Sequence, residues 1–145
     1  MNIPLIDLRA QYKYIKDEID KAIQKVIDSG NFILGENVSR LEKEIAEFTS
    51  TNYGIGVANG TDALFLALKA YGIGKGDEVI TTPFTFFATA EAISQVGATP
   101  VFVDIDEESY NIDVNKIENK ITNKTKAIIP VHLFGHPAFH PSFKV

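Results

Sequence analysis

Four clusters in this sequence combine residue types and spacings that could do chemistry. In Asn59-Gly60-Thr61-Asp62, a glycine and a hydroxyl residue stand directly ahead of an apolar segment. If that segment is a helix, Thr61 to Leu64 would present backbone N–H groups at its positive end. Gly60 would let a ligand approach the main chain, and the Thr61 hydroxyl could donate to an anion. Those are the parts of a phosphate site. The plainer reading is that Asn59 and Thr61 only cap the helix. In Thr85-Phe86-Phe87 an aromatic pair follows Pro83. A ring beside a phosphate cradle could stack on a planar cofactor, and a phenylalanine pair equally suits a core. Asp104-x-Asp106, at the end of an apolar run, has the spacing of an aspartyl nucleophile, but Glu108 stands where that chemistry needs a hydroxyl. His132, His136 and His140 recur every four residues, as metal ligands on a helix would. Gly135, Pro137 and Pro141 forbid that helix, so no metal site is expected.

The elements that must position these clusters follow from hydropathy. Leu8, Tyr12, Ile15, Ile19, Ile23 and Val26 fall at steps of three and four, which predicts a helix from Asp7 to Ser29 closed by Gly30. Val38, Leu41, Ile45 and Phe48 predict a second amphipathic helix from Glu36 to Phe48. Beyond Asn52, short apolar runs at 55–58, 78–82, 100–104 and 126–132 read as four strands. Between them lie a helix at 63–71, apolar nearly all round and so expected to be buried, a helix at 86–96, and a short helix capped by Asp113. Strands without polar alternation, interleaved with helices, imply an α/β fold with a mostly parallel sheet and flanking helices. Ligands of such sheets bind beyond the carboxyl ends of the strands, where all four clusters would lie. Gly72-x-Gly74-x-Gly76 precedes a strand and has Asp77 in its sixth position, so it is no dinucleotide fingerprint.

Composition narrows the classes. The chain has 145 residues, 14 Lys plus Arg against 19 Asp plus Glu, a formal charge of −5, and no Cys. Disulfide frameworks, thiolate metal sites and Cys nucleophiles are thereby excluded. The mild acidity, without a basic stripe, argues against nucleic acid and anionic membrane as partners. No apolar run approaches a membrane span and the first residues do not resemble a signal peptide, so a cytoplasmic protein is expected.

Taken in order, the segments SGNFILGENVSRLEKEIAEF, VANGTDALFLALKAYGIGKGDEVITTPFTFFATAEAISQVGATPVFVDID and TKAIIPVHLFG closely resemble the N-terminal part of the DegT/DnrJ/EryC1/StrS family of pyridoxal-phosphate-dependent sugar aminotransferases. The resemblance runs from about Pro4 to Ala138. It implies a partial fold-type I large domain, with pyridoxal 5′-phosphate as cofactor. Gly60, Thr61 and Asp62 match the family's phosphate-binding turn, and Phe86 matches the aromatic that stacks on the pyridine ring. Keto nucleotide sugars and glutamate would be the substrates, and a homodimer or higher oligomer the assembly.

The resemblance also implies what these residues lack: the aspartate that pairs with the pyridine nitrogen, and the Schiff-base lysine. Lys144 follows a Ser-Phe pair but lacks the setting of that lysine. No catalytic residue is therefore assigned. The expected organisation is a helical segment over 1–52 at the family's dimer and active-site rim, an incomplete large domain over 53–138, and a divergent tail over 139–145. The expected function is that of an N-terminal aminotransferase fragment, inactive alone. A related sugar dehydratase fragment, or a non-catalytic frameshifted remnant that only self-associates, are the alternatives.

Overall fold

A computed structural model describes residues 6–138. The chain divides into two compact units, Met1–Gly56 and Val57–Val145.

In the first unit, α1 (Leu8–Ser29) begins where the Asp7 carboxylate accepts the Ala10 N–H at 2.9 Å. It ends at Gly30, whose φ of 65° is the left-handed conformation that the helix terminus requires. The second helix, α2 (Glu36–Phe48), buries Ala46. Both helices match the expected spans, yet their apolar stripes are not covered within the unit: Tyr12, Ile23, Leu41, Ile45 and Phe48 are all exposed. The apolar turn between them, Phe32-Ile33-Leu34, is exposed as well.

The strand expected at 55–58 does not form. Gly54 lies against the α2 backbone at Glu42, and the Gly56 N–H donates to the Glu42 carboxylate at 2.7 Å. The donor that a sheet ladder would use is thus engaged by a side chain, and no strand runs alongside among the described residues.

The second unit is an α/β layer with three strands in place of the expected four. They are β1 (Glu78–Thr81), β2 (Thr99–Phe102) and β3 (Thr125–Ile128), in the order β2-β1-β3 and all parallel. Helices α3 (Gly60–Ala70) and α4 (Ala88–Gln95) flank β1 in sequence, and α5 (Val114–Ile117) leads through a 3₁₀ turn toward β3. Successive side chains of β1 point to opposite faces, so each face has its own core. Val79 packs with Leu68, Ile73, Ile93, Val96 and Ala98 from the α3/α4 side. Ile80 packs with Val103, Ile112, Ile117 and Ala138 on the other. Pro100 falls in an edge strand, where the missing N–H is harmless.

Helix α3 differs from expectation. Of its residues only Leu68 is buried, and Leu66 is 48% exposed. One side packs on α4 and the sheet, and no described element covers the others.

Candidate functional site

Topology brings the candidate residues to one edge. Helix α3 enters β1 through a turn at the strand's amino end, and α4 leaves from its carboxyl end. Leu68 and Val96, near the far ends of the two helices, share one cluster. The helices therefore run side by side, and both N-termini lie at the carboxyl edge of the sheet. An eleven-residue helix is about 16 Å long, enough to span a strand of four residues.

At the start of α3, Asn59 is the N-cap, and its Oδ1 accepts the Asp62 N–H at 2.8 Å. Its Nδ2 donates to the Asp62 carboxylate at 3.1 Å. The Ala63 N–H donates to the Asn59 carbonyl at 3.1 Å. Of the donors expected from Thr61 to Leu64, those of Asp62 and Ala63 are thus taken by the cap. The N–H groups of Gly60 and Thr61 have no acceptor among the described residues. A Cβ built on Gly60 would meet nothing within 4 Å, so the approach to these donors is open. The cap therefore uses the Asp62 and Ala63 donors and leaves those of Gly60 and Thr61 open among the described residues. Thr61, the next residue, is half-buried, whereas the Asp62 carboxylate belongs to the cap.

Beyond β1 the chain turns at Thr82, whose buried hydroxyl accepts the Phe84 N–H at 3.2 Å. The Thr85 and Thr89 hydroxyls pair at 3.0 Å, tying this segment to the first turn of α4. Phe86 is 80% exposed and Phe87 75%, so the core reading of the pair does not hold in this structure. Phe86 stands at the edge that also carries Gly60 and Thr61.

The remaining clusters have local roles. Asp106 accepts the backbone N–H and the hydroxyl of Ser109, both at 2.9 Å, which hold its carboxyl below the usual range. It shapes the turn that closes the Ile105–Ile112 bridge. Asp104 accepts the Ile105 N–H. Asp113 caps α5, with Lys116 at 3.0 Å as the main cause of its lowered pKa. His132 Nδ1 accepts the Ala138 N–H at 2.9 Å, and no described group of His and acidic side chains is arranged to hold a metal. His140 and Lys144 lie outside the described residues. One buried polar residue escaped the sequence reading. Asn111, 4% exposed, bonds to both Leu133 and His136. It sits in a polar turn where nothing in the local pattern signals burial.

Comparison with known proteins places this edge in context. The chain is 54% identical over 138 residues to a pleiotropic regulatory protein of Geobacillus stearothermophilus, covering 95% of this chain and 37% of that one. It is 54% identical over 139 residues to a UDP-N-acetyl-3-dehydro-alpha-D-glucosamine 3-aminotransferase of Acidithiobacillus ferrooxidans, covering 96% and 38%. The chain therefore spans well under half the length of these relatives. Among solved structures, DesV of Streptomyces venezuelae, in complex with a ketimine intermediate, superimposes with a TM-score of 0.91 at 45% identity, covering 94% of this chain and 37% of that one. NtdA of Bacillus subtilis, with bound cofactor PMP, gives 0.79 at 38% identity, covering 82% and 27%. The fold is accordingly a partial large domain of these aminotransferases. Among the described residues no helix is long and apolar enough to cross a membrane. The sequence model of the DegT/DnrJ/EryC1/StrS aminotransferase family matches residues 13–142, and the chain belongs to that family.

Proposed function

We propose that this chain supplies the phosphate-gripping and ring-facing part of a pyridoxal-phosphate site in a sugar aminotransferase. One observation carries the reading: among the described residues two backbone N–H groups, of Gly60 and Thr61, have no acceptor at the positive end of α3, on the edge where Phe86 stands exposed. Membership of the family supports it, and so does the PMP held by a solved relative.

The residues present fit the cofactor in part. A phosphate dianion would be held by the Gly60 and Thr61 N–H groups, by the Thr61 hydroxyl and by the helix dipole. Phe86 would cover one face of a pyridine ring and keep water from it. When bound, pyridoxal phosphate supplies the electron sink for moving an amino group. No lysine belongs to the segments 59–62, 82–87, 103–113 or 129–138 that form the edge. These residues therefore bind and orient, and do not transaminate by themselves. The whole protein would act on keto nucleotide sugars with glutamate as donor. The uncovered Phe32, Ile33, Leu34 and Phe48 support a homodimer or higher oligomer of a cytoplasmic enzyme.

The test is a titration with pyridoxal phosphate followed by borohydride. A saturable spectral change that Thr61→Ala weakens is expected, with no stable adduct on a single lysine after reduction. Binding indifferent to Thr61→Ala would refute the assigned cradle, and a stoichiometric single-lysine adduct would refute the assigned incompetence.

A further inference from the structure

The segments that follow β2 and β3 are joined by one buried amide. Asn111 Nδ2 donates to the His136 carbonyl at 3.0 Å, and its Oδ1 accepts the Leu133 N–H at 3.1 Å. These partners stand at either end of a single 3₁₀ turn, Leu133–Gly135, in which Phe134 has a φ of 53°. Tyr110, immediately before Asn111, has a φ of 59°. Left-handed conformations are unfavourable for bulky aromatic residues and persist where their surroundings over-determine them. The Tyr110 ring lies 6.1 Å from the ring of Phe84, and Phe84 and Phe134 line one cleft of about 200 Å³ with Pro83, Thr85 and Leu133. These relations form a circuit, from Phe84 to Tyr110, through Asn111 to the turn that carries Phe134, which faces Phe84 across the cleft.

We propose that Asn111 is the positioning residue of this cleft: by gripping both ends of the Leu133–Gly135 turn it sets where Phe134 stands relative to Phe84. The other bonds at this turn, Gly135 N–H to His132 and His136 N–H to Leu133, are internal to it and shape it without placing it. His132 anchors only the outgoing segment of the loop, through the Ala138 N–H. A buried amide whose donor and acceptor are both used on one neighbouring segment fixes that segment in two directions, which an apolar residue of the same size could not do. The cleft opens at the carboxyl edge, where sheets of this type hold ligands. The inference rests on the circuit and is independent of which ligand the edge receives.

The test is amide hydrogen exchange and ring-to-ring nuclear Overhauser effects on three variants of the 145-residue chain. Asn111→Ala is expected to speed exchange at Leu133 by at least about tenfold and to abolish the Phe84–Tyr110 ring signal, while Ile129, bonded to Ile80 within the sheet, keeps its protection. Asn111→Asp retains an acceptor for Leu133 but sets a second oxygen against the His136 carbonyl, so Leu133 should keep partial protection while the Phe84–Tyr110 ring signal is lost. Ile117→Val, a cavity in the neighbouring core, should lower the melting temperature without changing either signal. Parent-like Leu133 exchange and ring contacts in Asn111→Ala would overturn the proposal. So would their loss in Ile117→Val to the same degree, because the role would then be merely structural. If Asn111→Ala does not fold, full loss of Leu133 protection in a folded Asn111→Asp protein overturns it, and retained protection supports it.

Discussion

Asn59 and Asp62 are bonded to each other twice, the Asp62 N–H donating to the Asn59 side chain at 2.8 Å and the Asn59 amide donating to the Asp62 carboxylate at 3.1 Å. This reciprocal cap fixes where α3 begins, and so decides which N–H groups stay open to a ligand. Asn59→Ala removes both bonds and is expected to lower stability by about 1 kcal/mol, read from urea unfolding. It also releases the Asp62 carboxylate beside the open donors, so phosphate affinity should fall with it. An unchanged unfolding midpoint would mean that the cap does not hold α3.

Thr61 and Phe86 should separate binding from folding. Phe86 is 80% exposed, so Phe86→Ala should alter stability by no more than about 0.5 kcal/mol. Loss of a stacking ring should nevertheless weaken pyridoxal phosphate by about three- to tenfold. Thr61→Ala should weaken the cofactor by about tenfold and inorganic phosphate in parallel, since a hydroxyl donor to an anion is lost. Phe86→Ala should leave inorganic phosphate binding untouched. Isothermal titration of both ligands against both variants distinguishes the two roles.

Asp106 gives a pH signature. The Ser109 N–H and then its hydroxyl lower the carboxyl's pKa in the folded chain. A pKa depressed on folding adds stability above the unfolded value, and that stability disappears as pH falls through the folded value. Ser109→Ala keeps the N–H but loses the hydroxyl, which moves the folded pKa back toward the ordinary 3.8. The variant should therefore melt below the parent near neutral pH, and the gap should narrow on acidification below about pH 4. A gap that is constant across that range would assign the bond no role in Asp106 ionisation.

Gly54 tests the first unit. A Cβ there would fall inside the contact radius of the Glu42 carbonyl oxygen, a backbone atom that cannot swing aside. Gly54→Ala should push the 51–56 segment off α2 and break the Gly56-to-Glu42 bond, costing about 1–3 kcal/mol. The loss shows as faster exchange at the Gly56 amide and a lower melting temperature.

Local sequence signals match the structure where they depend on near neighbours. The span of α1, its Gly30 terminus and the Asp113 cap of α5 follow from spacing and from residues within a turn of each other. Motif order sufficed for the family and the parallel α/β layer. Three features depended on what lies farther away. The run 55–58 is apolar enough for a strand, but the Glu42 carboxylate takes its Gly56 donor. The segment 63–71 is apolar enough for a buried helix, but burial needs cover, and the described residues cover only one side. Asn111 is a polar residue in a polar turn, and its burial arises from a segment more than twenty positions downstream.

The placement of β1 between its two partners also bears on how the chain comes together. Its ladder with β2 closes across a crossover containing α4 alone, whereas its ladder with β3 must wait for the far longer stretch that contains β2 and α5. Loop closure grows costlier with length, and parallel pairings cannot form by a tight turn. During synthesis, therefore, β1, α4 and β2 can assemble on the α3 face around Val79 while β3 is still inside the ribosome. The opposite face, around Ile80, then remains open until Ile112, Ile117 and Ala138 emerge. In that interval the nascent chain exposes an apolar sheet surface beside an unpaired strand edge, the state most open to pairing with a neighbouring chain.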